Sequence, residues 1–163
     1  MREITVKLVN FEELDDRGRS KAIARYREHH DYFWFDDAMG SIKAFVNRFG
    51  GTIHNYSIGE YQRSFIKTNL DAGSFRGVKL ASFDREHMPT GYCLDNSLWQ
   101  TFYDTFKSTG DAHHAFNIAI DEALLDVARD VEYQFSDAGI SEILMDNDME
   151  FNEDGSLFIG RVA

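Results

Sequence analysis

From Phe116 to Val131 apolar residues recur at three- and four-residue steps: Phe116, Ile120, Ala123, Leu124, Val127 and Val131. Interleaved with them, Glu122, Asp126 and Asp130 form an i, i+4, i+8 row. The two sets fall on different sectors of one helical wheel, so the stretch predicts a helix with one buried side. Like charges at this spacing cost a few tenths of a kcal/mol per pair, and Arg129 offsets only part of that. The acidic run extends further. Asp121 to Asp154 holds twelve carboxylates and one cation, yet Tyr133, Phe135, Ile140, Ile143, Leu144 and Phe151 run through it. Apolar residues at such density predict a folded anionic surface rather than a disordered tail.

Charge is divided unevenly along the 163 residues. Residues 1–88 hold 14 Lys/Arg against 13 Asp/Glu, whereas residues 89–163 hold 3 against 15, which accounts for the net charge of −11. The second half should repel nucleic acid and membrane phosphates, and its natural complement is a basic protein surface. Acidity also serves solubility. The single cysteine, Cys93, cannot form an internal disulfide. The first residues lack a signal-peptide run, and no window has the length of a membrane span. A cytoplasmic location is expected, and no membrane partner.

One proline and the absence of Ser/Gly-rich tracts suggest a single domain over residues 1–163. Alternation of Ile4, Val6 and Leu8 predicts a strand over residues 3–9. Asp15 is placed to cap a helix carrying Ala22, Ile23, Tyr26 and His30 inward, although Gly18 weakens it by about 1 kcal/mol. Asp36-Asp37 opens a second helix with Met39, Ile42, Phe45, Val46 and Phe49 on its core side, stopped by Gly50-Gly51. Thr52 to Ile58 and Ser64 to Leu70 read as a hairpin joined around Gly59 to Gln62. Ser74 to Phe83 reads as a short helix with Val78, Leu80 and Phe83 inside, and Glu86 to Asp95 as a loop. Asp95-Asn96 or Ser97 is placed to cap a helix carrying Leu98, Trp99, Phe102 and Phe106 as far as Gly110. Asp111 opens the long helix, to about Phe135. Ser136-Asp137 caps another with Ile140, Ile143 and Leu144, and Met149 to Gly160 closes the chain as a hairpin. The expected fold is α+β: a small, mainly antiparallel sheet of three to five strands with four to five helices packed on it.

The chemistry-bearing residues form no catalytic pattern. Asp146-x-Asp148-x-Glu150 resembles the start of a calcium loop, but such a loop needs glycine sixth and glutamate twelfth. Phe151 and Leu157 stand there, which leaves at most a weak divalent-ion site near Asp146. The adjacent pairs His29-His30 and His113-His114 point about 100° apart on a helix, so neither makes an i, i+4 zinc face. Cys93, His113 and His114 are the first suspects for a thiol- or metal-dependent enzyme, without local support. No phosphate-binding glycine loop occurs. The sequence therefore implies no enzyme, no cofactor and no metal.

Several short motifs in order carry a resemblance. They are Phe11-Glu12-Glu13-Leu14, Tyr56-Ser57-Ile58-Gly59, Ser64-Phe65-Ile66 and Thr90-Gly91-Tyr92-Cys93-Leu94-Asp95. Tyr133-Gln134-Phe135-Ser136-Asp137, Ile140-Ser141-Glu142, Glu150-Phe151 and Asp154-Gly155 complete the set. Together they resemble small acidic proteins encoded by phages, prophages and plasmids, some of them labelled antitoxin-like. The resemblance implies a mobile-element origin and residence in a host cytoplasm. With the charge asymmetry, it leads to the expectation of an anti-defence inhibitor, similar in role to anti-CRISPR proteins. Such an inhibitor would occupy a basic nucleic-acid-handling surface without binding nucleic acid itself. An antitoxin-like neutraliser of a basic toxin is the alternative. The expected contacts are Glu122, Asp126, Asp130, Asp137, Glu142, Asp146, Asp148 and Glu150, with aromatics near Tyr32 to Phe35 adding contact area. Homo-oligomerisation is left open.

Overall fold

The computed structural model of the protein describes residues 7–58 and 64–158. Two compact units emerge, one formed by Met1–Asp31 with Glu132–Ala163 and the other by Tyr32–Val131.

In the unit built from the two ends of the chain, Asp15 caps a helix as its position predicts. Its Oδ1 accepts from the Gly18 amide at 2.6 Å, and α1 runs Asp16–Arg27. Ser136 likewise caps α5 (Asp137–Asp146) by accepting from the Gly139 amide. Strand β1 (Leu8–Asn10) pairs antiparallel with β4 (Glu150–Asn152), Val9 opposite Phe151. Val9, Phe11, Leu14, Ala22, Ile140, Leu144 and Phe151 form the core, with Ile23 and Tyr26 packed against it. The inward residue of β1 is thus Val9, while Leu8 is only half-buried. Residues 3–6 of the expected strand lie outside the described residues. The expected closing hairpin is present as a short turn: Phe151 bridges Leu157, the Asn152 amide donates to the Ser156 carbonyl and the Phe158 amide to that of Glu150, while residues 159 and 160 lie outside the described residues.

The glycine that packing requires is Gly155. A Cβ added to it would strike the backbone carbonyl of Gly18, and Gly155 holds φ at +79°. A Cβ at Gly18 would instead lie 3.2 Å from side-chain atoms of Leu14 and Asp15, a tight fit. His30 lies just past α1 and is 7% exposed, its ring 5.1 Å from Tyr26 and 4.9 Å from Phe135. Burial holds its pKa below the usual 6.5, against a smaller opposing pull from Asp31.

In the other unit, α2 (Phe35–Arg48) and α3 (Cys93–Thr109) pack together with α4 (Ala112–Gln134), whose residues through Val131 belong here. Phe45 is fully buried and touches Phe49, Trp99, Phe102 and Phe116, stacking on Phe116 at 5.4 Å and 8°. Every residue of the predicted α4 stripe is buried. Strands β2 (Ile53–Ser57) and β3 (Phe65–Thr68) pair antiparallel, with a register shift between Ile53 and Asn55. The connection read around Gly59 to Gln62 lies outside the described residues.

The α+β class holds, with five α-helices among the described residues. The strands, however, form two separate pairs rather than one sheet of three to five. The short helix expected over Ser74 to Phe83 is also absent. Ala72–Phe75 and Leu80–Ser82 are single 3-10 turns, with Gly77 at φ +78° between them. Phe75 is the buried residue of this segment, while Val78, Leu80 and Phe83 are half-buried.

Two stability effects follow. Gly155→Ala should cost at least about 2 kcal/mol in denaturant unfolding, because it adds a clash to an unfavourable φ. Gly77→Ala shares the positive φ but meets open space, and should cost only about 1 kcal/mol. Lowering pH through 6.5 should destabilise the unit holding His30, since the unfolded chain takes up a proton that the folded one resists. His30→Gln should flatten stability between about pH 7 and 5, leaving only carboxylate effects at lower pH.

Candidate functional site

The eight expected contact carboxylates divide between the units. Glu122, Asp126 and Asp130 lie on α4 within Tyr32–Val131. Asp137, Glu142 and Asp146 on α5, Asp148 in the turn after it and Glu150 on β4 lie in the other unit. Each group is therefore a surface of its own.

On α4 the row is not uniformly presented to solvent. Glu122 is exposed. Asp126 is half-buried; its Oδ2 accepts from the Ser97 hydroxyl at 2.7 Å, and its Oδ1 lies 3.7 Å from the Arg129 guanidinium. Asp130 is also half-buried, accepting from the Tyr32 hydroxyl at 2.6 Å. The like-charged row is thus relieved by donors on neighbouring segments, which a helical wheel does not display. Two of its three members hold the unit together.

The Tyr32 phenol interacts electrostatically with that of Tyr92, and Tyr92 with the Cys93 thiol. Burial raises the Tyr32 phenol far above its ordinary value, reinforced by the Asp130 carboxylate that accepts its proton. Burial also raises the Tyr92 phenol. Both hydroxyls therefore stay protonated and serve as donors at neutral pH. Trp34 stacks on Tyr92 at 6.3 Å and 24°, and remains 48% exposed. Phe33 beside it is 67% exposed. The outcome is one continuous patch, from the exposed Trp34 face through Tyr92 and Tyr32 to the Asp130 end of the acidic row.

In the other unit, Arg27 holds Asp137, donating to its Oδ1 and to the Phe135 carbonyl. Glu142 accepts from the Tyr133 hydroxyl, which raises the Tyr133 phenol. Asp146, Asp148 and Glu150 are exposed, and their carboxylates make no ion pair among the described residues. Asp148 adopts φ +48°, a strained value for an aspartate. No group of three or more His, Cys, Asp or Glu among the described residues is arranged to hold a metal ion. His113 lies against Phe75, with Nε2 3.3 Å from the Asn117 amide, while His114 is exposed at the start of α4. Cys93 is exposed at the first position of α3.

Asp95 is the residue that sequence reading misplaced. Expected as a helix cap, it lies inside the first turn of α3, fully buried. Its Oδ2 accepts from the Thr90 amide at 2.8 Å, the Thr90 hydroxyl at 2.9 Å and the Gly91 amide at 2.9 Å. Thr90 Oγ1 is itself 2.9 Å from Ser41 Oγ on α2. One carboxylate thereby fastens the loop before α3, and so sets where Tyr92 and Cys93 stand. The spacing Thr90-Gly91-x-x-x-Asp95 was the available signal: an acid shortly after a turn, facing the turn's own amides.

Compared with family models, with curated proteins and with solved structures, the chain matches none.

Asp95→Ala should cost about 3–5 kcal/mol in urea unfolding, since it leaves two amides and a hydroxyl unpaired in a buried space. It should also open the loop at residues 88–92 to limited proteolysis. Asp95→Asn, which keeps an acceptor in place, should recover at least half of that loss.

Proposed function

We propose that the protein is a binding protein of mobile-element type that occupies a basic, nucleic-acid-handling surface of a host defence complex. Carboxylates would stand where that surface expects phosphates, and aromatic side chains would supply the contact area that charge alone lacks.

The observation that carries this reading is the fixed Trp34–Tyr92–Tyr32–Asp130 chain, which sets an exposed aromatic face beside the α4 carboxylates. Such a patch matches Arg and Lys in two ways. Tryptophan and tyrosine faces attract cations that carboxylates pair with, and a stacked, hydrogen-bonded cluster loses little freedom on docking. Of the expected contacts, Glu122, Asp146, Asp148 and Glu150 are exposed with no ion pair among the described residues, Asp137 and Glu142 are exposed beside Arg27 and Tyr133, and Asp126 and Asp130 are half-buried on internal donors. The first two sets would meet the partner directly. The third would shape the surface and add to its field.

A basic toxin presents the same chemistry, so the alternative antitoxin-like role uses the same side chains. The identity of the protein captured from a host lysate separates the two.

Trp34→Ala and Glu122→Lys should together weaken capture of that protein by about tenfold or more, while circular dichroism and melting stay unchanged. Asp146→Lys with Glu150→Lys tests the other unit's patch independently. Affinity should fall as salt rises from about 0.05 to 0.3 M, in keeping with screened attraction. Capture that withstands both variants and high salt would overturn the acidic-face mechanism.

A further inference from the structure

The unit formed by the chain ends holds a groove of about 300 Å³ between α1 and the β4 region. That size is at the small end of ligand sites, which run roughly 300–1,000 Å³. Leu144, Met149, Phe151 and Leu157 give it an apolar lining, and Arg25 and His29 stand on the α1 side.

The charge of this groove runs against that of the chain. Among the described residues, no Asp or Glu lines it. The nearest in sequence to the lining residue Gly155 is Asp154, which Lys21 holds at 2.6 Å with Ser156 as a second donor. These contacts keep its carboxyl well below the usual range. Arg25 is exposed and, like Arg17 and Arg19, makes no ion pair among the described residues, whereas Lys7, Lys21 and Arg27 of the same unit each have a carboxylate partner; of the three unpaired, Arg25 is the one that lines the groove. His29 is tied to the same turn, its Nδ1 3.0 Å from the Arg25 carbonyl oxygen.

The geometry points to a binding site for a small amphipathic carboxylate, its alkyl or aryl body in the apolar groove and its head group on Arg25. A guanidinium pairs with a carboxylate through two parallel N–H donors, a match that a neutral or cationic head cannot make. The apolar body is held because burying its surface against Leu144 and Phe151 removes it from water. This site does not rest on the protein-docking role and stands or falls separately.

Titrating octanoate into isotopically labelled full-length protein, followed by amide chemical shifts, tests the site. Shifts should concentrate in residues 22–29 and 144–157. Octylammonium should bind about tenfold more weakly or not at all. Arg25→Gln, a change at an exposed position, should weaken octanoate about tenfold and leave neutral octanol unaffected. The assignment is overturned if octylammonium binds as well as octanoate, if Arg25→Gln changes nothing, or if the shifts lie elsewhere.

Discussion

Phe45 sets the frame for the unit of residues 32–131. A fully buried ring that stacks on Phe116 and meets Trp99 and Phe102 edge-on ties three helices through one side chain. Aromatic pairs prefer a few mutual angles, so these contacts fix helix rotation as well as separation. With α4 fixed in rotation, Asp126 meets Ser97 and Asp130 meets Tyr32. Turned to another face, those two carboxylates would stand in water as an unrelieved row of like charge. The electrostatics of this surface therefore depend on the aromatic core beneath it.

Much of the helical framework was legible in the sequence because helix signals are local. Asp15 and Ser136 cap as their positions indicate, and the Phe116-to-Val131 stripe is buried throughout. What escaped depends on residues distant in the chain. Val9 faces inward because it stands opposite Phe151, a partner 142 positions away that alternation alone does not identify. The strands split into two pairs for the same reason, since pairing is a tertiary choice and not a property of either segment. The Ser74-to-Phe83 segment failed differently. Gly77 interrupts it, and the burial of Phe75 rather than Val78 or Leu80 settled its turns.

The candidate contacts show a similar division. Counting Asp and Glu located the anionic region but treated its members as equals. In the structure some carboxylates accept from phenols, hydroxyls or guanidinium groups, and those have become parts of the scaffold. Asp95 is the extreme case, an acid wholly withdrawn from the surface to organise a loop. Such roles are invisible to composition because the donors come from positions 4 to 110 residues away. Trp34 lies in the Tyr32-to-Phe35 stretch expected to add contact area, and it keeps about half its surface in water. That Tyr92 stacks on it was not visible, because the two stand far apart in the chain.

Pairing β1 with β4 has a consequence for how the chain folds as it is made. Val9, Phe11 and Leu14 emerge first, but Ile140, Leu144 and Phe151, which cover them, are synthesised more than a hundred residues later. At about 5–20 residues per second, that leaves these apolar side chains uncovered for on the order of ten seconds. Residues 32–131 are complete before the covering residues arrive. The central unit thus has the opportunity to fold first, while the opening segment waits for its own closing partner. The interval is one in which a chaperone or a neighbouring chain competes for the β1 edge, so Ile140, Leu144 and Phe151, made later, decide whether Val9, Phe11 and Leu14 fold correctly.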